Sequence, residues 1–464
     1  MRPIRLLLTL LLLLTACAPR TPQPTRSATL AASPSTTLDT SPTIDPSPTP
    51  IGVASAPPTL AIASTSSTPS TVDADTTARH RRIFEQLWNT LNTQYVYPDF
   101  NGVDWAAAYI EFKARIDGGL SDEDFWRDMT EMIERLDDGH SFFLTPSKAR
   151  EQDDQLQGNL TYGGIGIDAG AQEDKQQVVI YSVFPGSPAE EAGLRAHDAI
   201  LAIDGRPILN PDGTNNLDQI RGRPGTPIVL TLRSPGEAPR EVTLLRRSID
   251  GTLRATGRLL SETPGNRIGY ILIPNLWGVA IESSARQTLA ALMAEGQLDG
   301  LMIDMRFNSG GLSTNLLTLL SFFTSGQHGE FVGRDNVRVL VVTPDPIGNS
   351  QDVPLIILVS DASVSYAEVF SGVLREAGRA RLVGMITAGN IETNYGYDFE
   401  DGSRAWIARE TFVPPSGANW EDAGIVPDIS IDLAWDEFTE ENDPYIAAAL
   451  ELLAPPAAAT RPTH

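Results

Sequence analysis

The apolar run at 355–359 leads through Ser360-Asp361-Ala362-Ser363-Val364-Ser365 into a stretch with helical spacing. A strand, a turn and a helix in that order present a serine hydroxyl at a helix N-terminus, where a developing oxyanion feels the positive end of the dipole. The same letters have a second use, because Ser365-Tyr366-Ala367-Glu368 fits a capping box in which the serine only closes a helix end. Local spacing leaves both open. Upstream, Ile303-Asp304-Met305-Arg306-Phe307-Asn308-Ser309 ends in Gly310-Gly311, a pattern that serves equally as an ordinary turn. No His-Glu-x-x-His spacing occurs, the single cysteine excludes thiolate zinc sites, and there is no phosphate loop, so neither a metal nor another cofactor is expected.

The elements around these residues divide the chain. Its 464 residues exceed one ordinary hydrophobic core. Apolar residues recur at helical spacing over 79–115 and 124–136 (Ile83, Leu87, Leu91; Phe125, Met129, Met132, Ile133, Leu136), which predicts a helical N-terminal domain over 77–155. Short apolar runs broken by Gly and Pro follow at 165–167, 178–183, 199–203, 228–232 and 241–245, a β-rich module over 156–248. Strands at 268–273, 301–305 and 355–359 then alternate with helices at 282–295, 312–324 and 367–377, an α/β pattern over 249–436 that places sites at strand ends. A C-terminal helix and tail occupy 437–464.

In the middle module, Pro185-Gly186-Ser187-Pro188-Ala189-Glu190-Glu191-Ala192-Gly193-Leu194 and the following His197-Asp198-Ala199-Ile200-Leu201-Ala202-Ile203-Asp204-Gly205 resemble a bacterial PDZ domain. The resemblance implies that Tyr162-Gly163-Gly164-Ile165-Gly166 forms the loop whose N–H groups capture a chain-terminal carboxylate, the peptide adding as a strand beside it. His197 and Asp198 read as solvated residues rather than catalytic ones.

Val359-Ser360-Asp361-Ala362-Ser363-Val364-Ser365-Tyr366-Ala367-Glu368, with Glu376-Ala377-Gly378-Arg379-Ala380 and Leu382-Val383-Gly384 after it, resembles the nucleophile segment of the carboxyl-terminal processing serine peptidases. Gly424-Ile425-Val426-Pro427-Asp428 and Leu136-Asp137-Asp138-Gly139-His140-Ser141-Phe142 extend the likeness over about residues 79–435. It implies a crotonase-like ββα peptidase core, Ser365 as nucleophile, and an oxyanion hole from Gly310 or Gly311 with the amide of Tyr366. Asp361 and Tyr366 are candidates for shaping the pocket.

The chain departs from the family at the base. Most of these peptidases use a serine–lysine dyad, yet the lysine position in Thr387-Ala388-Gly389-Asn390-Ile391-Glu392-Thr393-Asn394 holds Asn390. An amide has no useful basicity near neutral pH. His140 is the replacement, since imidazole titrates near working pH and relatives of the tricorn type use a histidine at a similar place with a glutamate. Glu421 is the preferred orienting carboxylate for its distance from Ser365, and Glu392 is the alternative. His80, His197, His328 and His464 lack catalytic context. The competing function is a catalytically inactive PDZ lipoprotein that binds peptides.

The N-terminus carries Arg2 and Arg5, an apolar run at 6–14, and Leu14-Thr15-Ala16-Cys17. The run is too short to span a bilayer and suits a signal peptide. Its ending resembles a bacterial lipobox, which implies lipidation of Cys17, loss of residues 1–16 and an exported, lipid-anchored protein. Residues 18–76, rich in Pro, Ser, Thr and Ala, cannot bury enough apolar surface to order themselves and read as a spacer. A formal charge of −24 opposes binding to nucleic acid. The expected partners are therefore unstructured polypeptide C-termini and, through the anchor, a membrane.

Overall fold

The computed structural model describes residues 72–210, 216–263 and 265–454; the expected signal segment, Cys17 and His464 lie outside them. The first helix, Ala74–Gln94, begins just inside the expected spacer, with Asp73 as N-cap accepting from the Thr76 N–H. No helix among the described residues is long and apolar enough to cross a membrane.

A six-stranded sheet runs through the catalytic half in the order Thr256–Thr263, Asn266–Leu272, Gly300–Asp304, Leu355–Val359, Ala380–Gly384 and Ile429–Ser430. Its first pair is antiparallel and the rest parallel. Gly300–Asp304 and Leu355–Val359 are buried at every position, as parallel strands covered on both faces must be. Leu301, Ile303, Ile357 and Val359 join helices Ala280–Leu292, Ser313–Phe323 and Tyr366–Glu376 in one core. Met302, Ile356 and Leu358 face the other way, onto Tyr445, Ala449 and Leu453 of helix Pro444–Leu453. Each such aliphatic contributes about 1.5–3 kcal/mol by leaving water, so the strand-to-helix turns at the sheet's carboxyl end stand on a rigid base.

A second sheet holds Phe142–Leu144, Arg404–Val413, Gly326–Gly333 and Val337–Val342, with Thr393–Asp398 also paired to Arg404–Val413. Helices Ala74–Gln94, Trp105–Asp117 and Asp122–Glu134 share one core with Ala405, Ile407 and Ala408 of this sheet. The helical region therefore leans on the catalytic half, and Phe142–Leu144, just after His140, is stitched to Arg404–Val413 by its register with Arg404, Ala405 and Trp406.

The PDZ region is an antiparallel sheet with main path Ile167–Gln172, Gln177–Val183, Ala199–Ile203, Pro227–Arg233 and Arg240–Leu245, closed over its own apolar core. Ile167–Gln172 is the edge strand. Tyr181 stacks on Phe307 at 3.8 Å and His197 on Trp435 at 3.7 Å, while Trp435 Nε1–H donates to the Ile180 carbonyl at 2.8 Å. His197 and Asp198 are thus not solvated: both are buried. Asp198 accepts from Ser234 Oγ at 2.6 Å, and His197 Nδ1 meets the Trp435 carbonyl at 2.8 Å. The segment after the last strand of the central sheet covers His197.

Candidate active site

Ser365 opens helix Tyr366–Glu376 with φ 61° and ψ −128°. A non-glycine residue held there costs about 1–3 kcal/mol and stays only where its surroundings over-determine it. The Ser365 N–H donates to the Asn390 carbonyl at 2.9 Å and to Glu368 Oε2 at 3.1 Å. Glu368 thus fills its half of the capping pattern, while the serine side chain makes no cap hydrogen bond. Fully buried, Glu368 also accepts from Thr387 Oγ1 at 2.5 Å, Gly389 N–H at 2.8 Å and Asn390 N–H at 3.0 Å. Burial pushes its carboxyl up, and those donors offset only part of the rise. The segment 387–390 is pinned under the nucleophile turn as a result.

The glycine loop is tied to that turn from the other side. Ser363 Oγ donates to the Met305 carbonyl at 2.8 Å, Ser360 Oγ donates to the Arg306 carbonyl, and Val364 N–H donates to the Asn308 carbonyl at 3.0 Å. Asn308 Nδ2 reaches the Ile273 carbonyl at 2.9 Å, and its Oδ1 accepts from Gly310 N–H at 2.9 Å. A Cβ on Gly310 would stand 2.7 Å from Ser365 Cβ, and one on Gly311 would stand 2.1 Å from the Leu276 carbonyl carbon. Only glycine permits that approach. Of the two glycines, Gly310 has its N–H engaged by Asn308, whereas Gly311 lines the cleft together with Tyr366. The Tyr366 N–H is the first of its helix and has no intrahelical partner.

His140, 3% exposed, is delivered by the turn Asp137-Asp138-Gly139. Its N–H donates to Asp138 Oδ1 at 2.9 Å and its carbonyl accepts from Asn394 Nδ2 at 2.5 Å. Its Nδ1 meets Glu392 Oε2 at 2.7 Å, and the Tyr97 hydroxyl donates to Glu392 Oε1 at 2.9 Å. A carboxylate on Nδ1 places the proton there and leaves the Nε2 lone pair available. Among the described residues Nε2 has no partner. It borders a cleft lined by His140, Gly311, Ser365, Tyr366, Glu392, Thr393 and Asn394.

The carboxylate preferred from sequence distance, Glu421, is not the one on the imidazole. Its Oε2 accepts the Ile391 N–H at 3.0 Å, which sets its carboxyl against that of Glu392, the next residue. Burial and the neighbouring Glu392 charge push Glu421 up to about 9. Burial also acts to raise Glu392, but the hydrogen bond and charge of His140 hold it below the usual range. Asn390, at the lysine position, donates through Nδ2 to the Gly139 carbonyl at 3.3 Å and so braces the histidine turn.

Ser365, His140, Glu392, Glu421, Gly310, Gly311 and Tyr366 converge, whereas His80, His197 and His328 lie elsewhere: His80 on Asp122, His328 on Thr324. The PDZ glycines are split. Gly163 and Gly164 belong to strand Thr161–Gly164, paired with Arg247–Asp250. Only Ile165 and Gly166, the latter at φ 81°, turn the chain into the edge strand. Sequence reasoning missed Tyr97, Asn308 and Asn394. Asn308 lay inside the glycine motif, while Tyr97 and Asn394 carried no local signal. Among the described residues no cluster suited to a metal ion occurs.

Residues 267–431 match the model of peptidase family S41, residues 179–234 that of a PDZ domain, and residues 76–134 that of the tricorn protease C1 domain. The carboxyl-terminal-processing protease of Picosynechococcus sp. is 28% identical over 373 residues, covering 79% of this chain and 88% of that protein. That of Synechocystis sp. is 28% identical over 381 residues, covering 80% and 86%. The photosystem II D1 C-terminal processing protease superposes with a TM-score of 0.56 at 23% identity, covering 76% of this chain and 93% of that one. A Bacteroides fragilis protein assigned to the S41 proteases gives 0.57 at 15% identity, covering 79% and 96%.

Proposed function

Since this chain belongs to peptidase family S41 and is a serine peptidase of the carboxyl-terminal processing type, we propose that Ser365 is its nucleophile, His140 its general base and Glu392 the carboxylate that orients the base. The observation that carries this is the 2.7 Å contact of His140 Nδ1 with Glu392, with Nε2 left unpartnered among the described residues and both His140 and Ser365 lining one cleft.

Nε2 takes the proton as the Ser365 oxygen attacks the scissile carbonyl, and Glu392 stabilises the imidazolium that forms. The carbonyl oxygen becomes an oxyanion received by the N–H groups of Gly311 and Tyr366, with the positive end of helix Tyr366–Glu376 behind them. The imidazolium returns its proton to the leaving amine and an ester remains on Ser365. Water, deprotonated by the same nitrogen, releases the acid. In this structure the Ser365 hydroxyl and Nε2 are not bonded to each other, and the proton transfer requires them to come within hydrogen-bond reach when substrate binds.

The PDZ edge strand Ile167–Gln172 is open to an added strand, which supports reading it as the seat for an unstructured polypeptide end, with the N–H groups of Ile165 and Gly166 near the terminal carboxylate. Export and lipidation at Cys17, with 18–76 as tether, complete the proposal. The alternative of an inactive binding lipoprotein rested on Asn390, and the His140–Glu392 pair supplies the basicity that Asn390 lacks.

A fluorophosphonate probe should label the wild type and fail to label Ser365→Ala. His140→Ala should lower kcat/KM on the order of 10⁴-fold. Equal labelling of wild type and Ser365→Ala, or of neither, removes Ser365 from the role.

A further inference from the structure

Glu392 is flanked by another glutamate, Glu421. Its Oε2 is on His140 Nδ1 at 2.7 Å and its Oε1 receives the Tyr97 hydroxyl at 2.9 Å. Glu421 approaches from a different loop, held by the Ile391 N–H at 3.0 Å, and its carboxyl is in hydrogen-bonding contact with that of Glu392. The other ionisable groups facing this pair are Tyr97, Asp138 on the histidine turn, and Glu368 on the helix after the nucleophile. All of these are acids. His140, a cation that offsets them when protonated, is already on Glu392.

Two carboxylates cannot share such a site while both are ionised, because like charges at contact distance drive a proton onto one of them. The hydrogen bonds decide which one. Glu392 has a histidine and a phenol hydroxyl pointing at its two oxygens, both of which favour the anion. Glu421 has one backbone N–H.

We propose that Glu421 is a positioning residue that keeps its proton and donates it as a hydrogen bond to the Glu392 carboxylate, so that a carboxylic acid–carboxylate pair stands behind His140. The pair carries one negative charge rather than two. That charge stays on the glutamate touching the imidazole, and the proton on Glu421 stops Glu392 from swinging away from it. This rests on the reading of His140 as the base.

The rise of Glu421 to about 9 agrees with this arrangement and sets the sign of its pH dependence. In the unfolded chain the group ionises near its ordinary value of 4.5. The stability that the buried neutral acid contributes is therefore complete below that value and is lost as pH rises through about 9.

The test compares the full chain with Glu421→Gln, which keeps the size and a donor but cannot ionise. Thermal melting should show the variant gaining on the wild type by several degrees as pH rises from about 5 to about 8, with the two converging near the ordinary glutamate value. A difference that is flat over that range overturns the proposal. Infrared spectra of wild type near neutral pH should contain the C=O stretch of a neutral carboxylic acid that is missing from Glu421→Gln, and its absence also overturns it. In peptide hydrolysis, Glu421→Gln should stay within about threefold of wild type in kcat and lose the alkaline fall, whereas Glu421→Ala, with no donor, should lose about tenfold. Equal kcat for the Gln and Ala variants sinks the positioning role. If His140→Ala retained full activity the base assignment would fail instead, while melting and infrared would still decide where the proton sits.

Discussion

Glu392 shows how much a single side chain can carry without touching substrate. It fixes the tautomer of His140 through one oxygen and is itself fixed by Tyr97 through the other. An amide in its place keeps the shape but cannot stabilise an imidazolium, so Glu392→Gln should lower kcat on the order of 10⁴-fold while the melting temperature changes little. Steady-state kinetics beside thermal melting checks this, and comparable losses in both would make Glu392 a folding residue instead. Ser365 and His140 as candidates, and Asn390 at the lysine position, were legible in the chain because each lies in a contiguous motif. The choice between Glu392 and Glu421 was not. Distance along the chain favours Glu421, whereas contact across 252 residues selects Glu392.

At the scale of elements, the site is two loops at the carboxyl ends of adjacent parallel strands, Gly300–Asp304 and Leu355–Val359, bound to each other by the side chains of Ser360 and Ser363 and by the Val364 N–H on the Asn308 carbonyl. Gly311, at φ 152°, touches the backbone of Leu276. Gly311→Ala should push the loop off Leu276 and lower kcat about 10²- to 10³-fold, the cost of one misplaced oxyanion donor. Unchanged turnover in that variant would show that the oxyanion is bound elsewhere. The central strands were readable as continuous apolar runs, and 355–359 matches the observed strand end to end. The second sheet was not read at all. Val337, Val339 and Val341 of its strand Val337–Val342 face solvent while Leu340 and Val342 face inward, and its other members come from distant segments. No local window contains the pairing that makes them strands.

Across the whole molecule, Arg306 binds the parts together. Buried at 2% exposure, it contacts Asp304 at 2.6 Å and Asp443 at 2.7 Å, and its guanidinium lies 4.8 Å from the Trp435 ring centroid. Trp435 in turn stacks on His197 of the PDZ sheet. Arg306→Ala leaves two buried carboxylates unpaired and should cost about 3–5 kcal/mol in urea unfolding. A loss under about 1 kcal/mol would mean that the cluster is hydrated and contributes little. Limited proteolysis of the same variant should cut the PDZ region sooner, because its fastening through Trp435 has lost the partner beneath.

The sequence by itself carried the family resemblance, the order of the parts, the candidate nucleophile and the absence of the lysine, because strand periodicity, turn glycines and motif letters are local properties of the chain. Only the tertiary structure decided that Glu392 rather than Glu421 meets the histidine, that His197 is buried against Trp435, and that Asp198 is buried and held by Ser234. Each of these depends on which segments, separated in sequence, the packing of the sheets brings within hydrogen-bond distance. Charge and burial at such meeting points are properties of the folded molecule and are written in no single stretch of it.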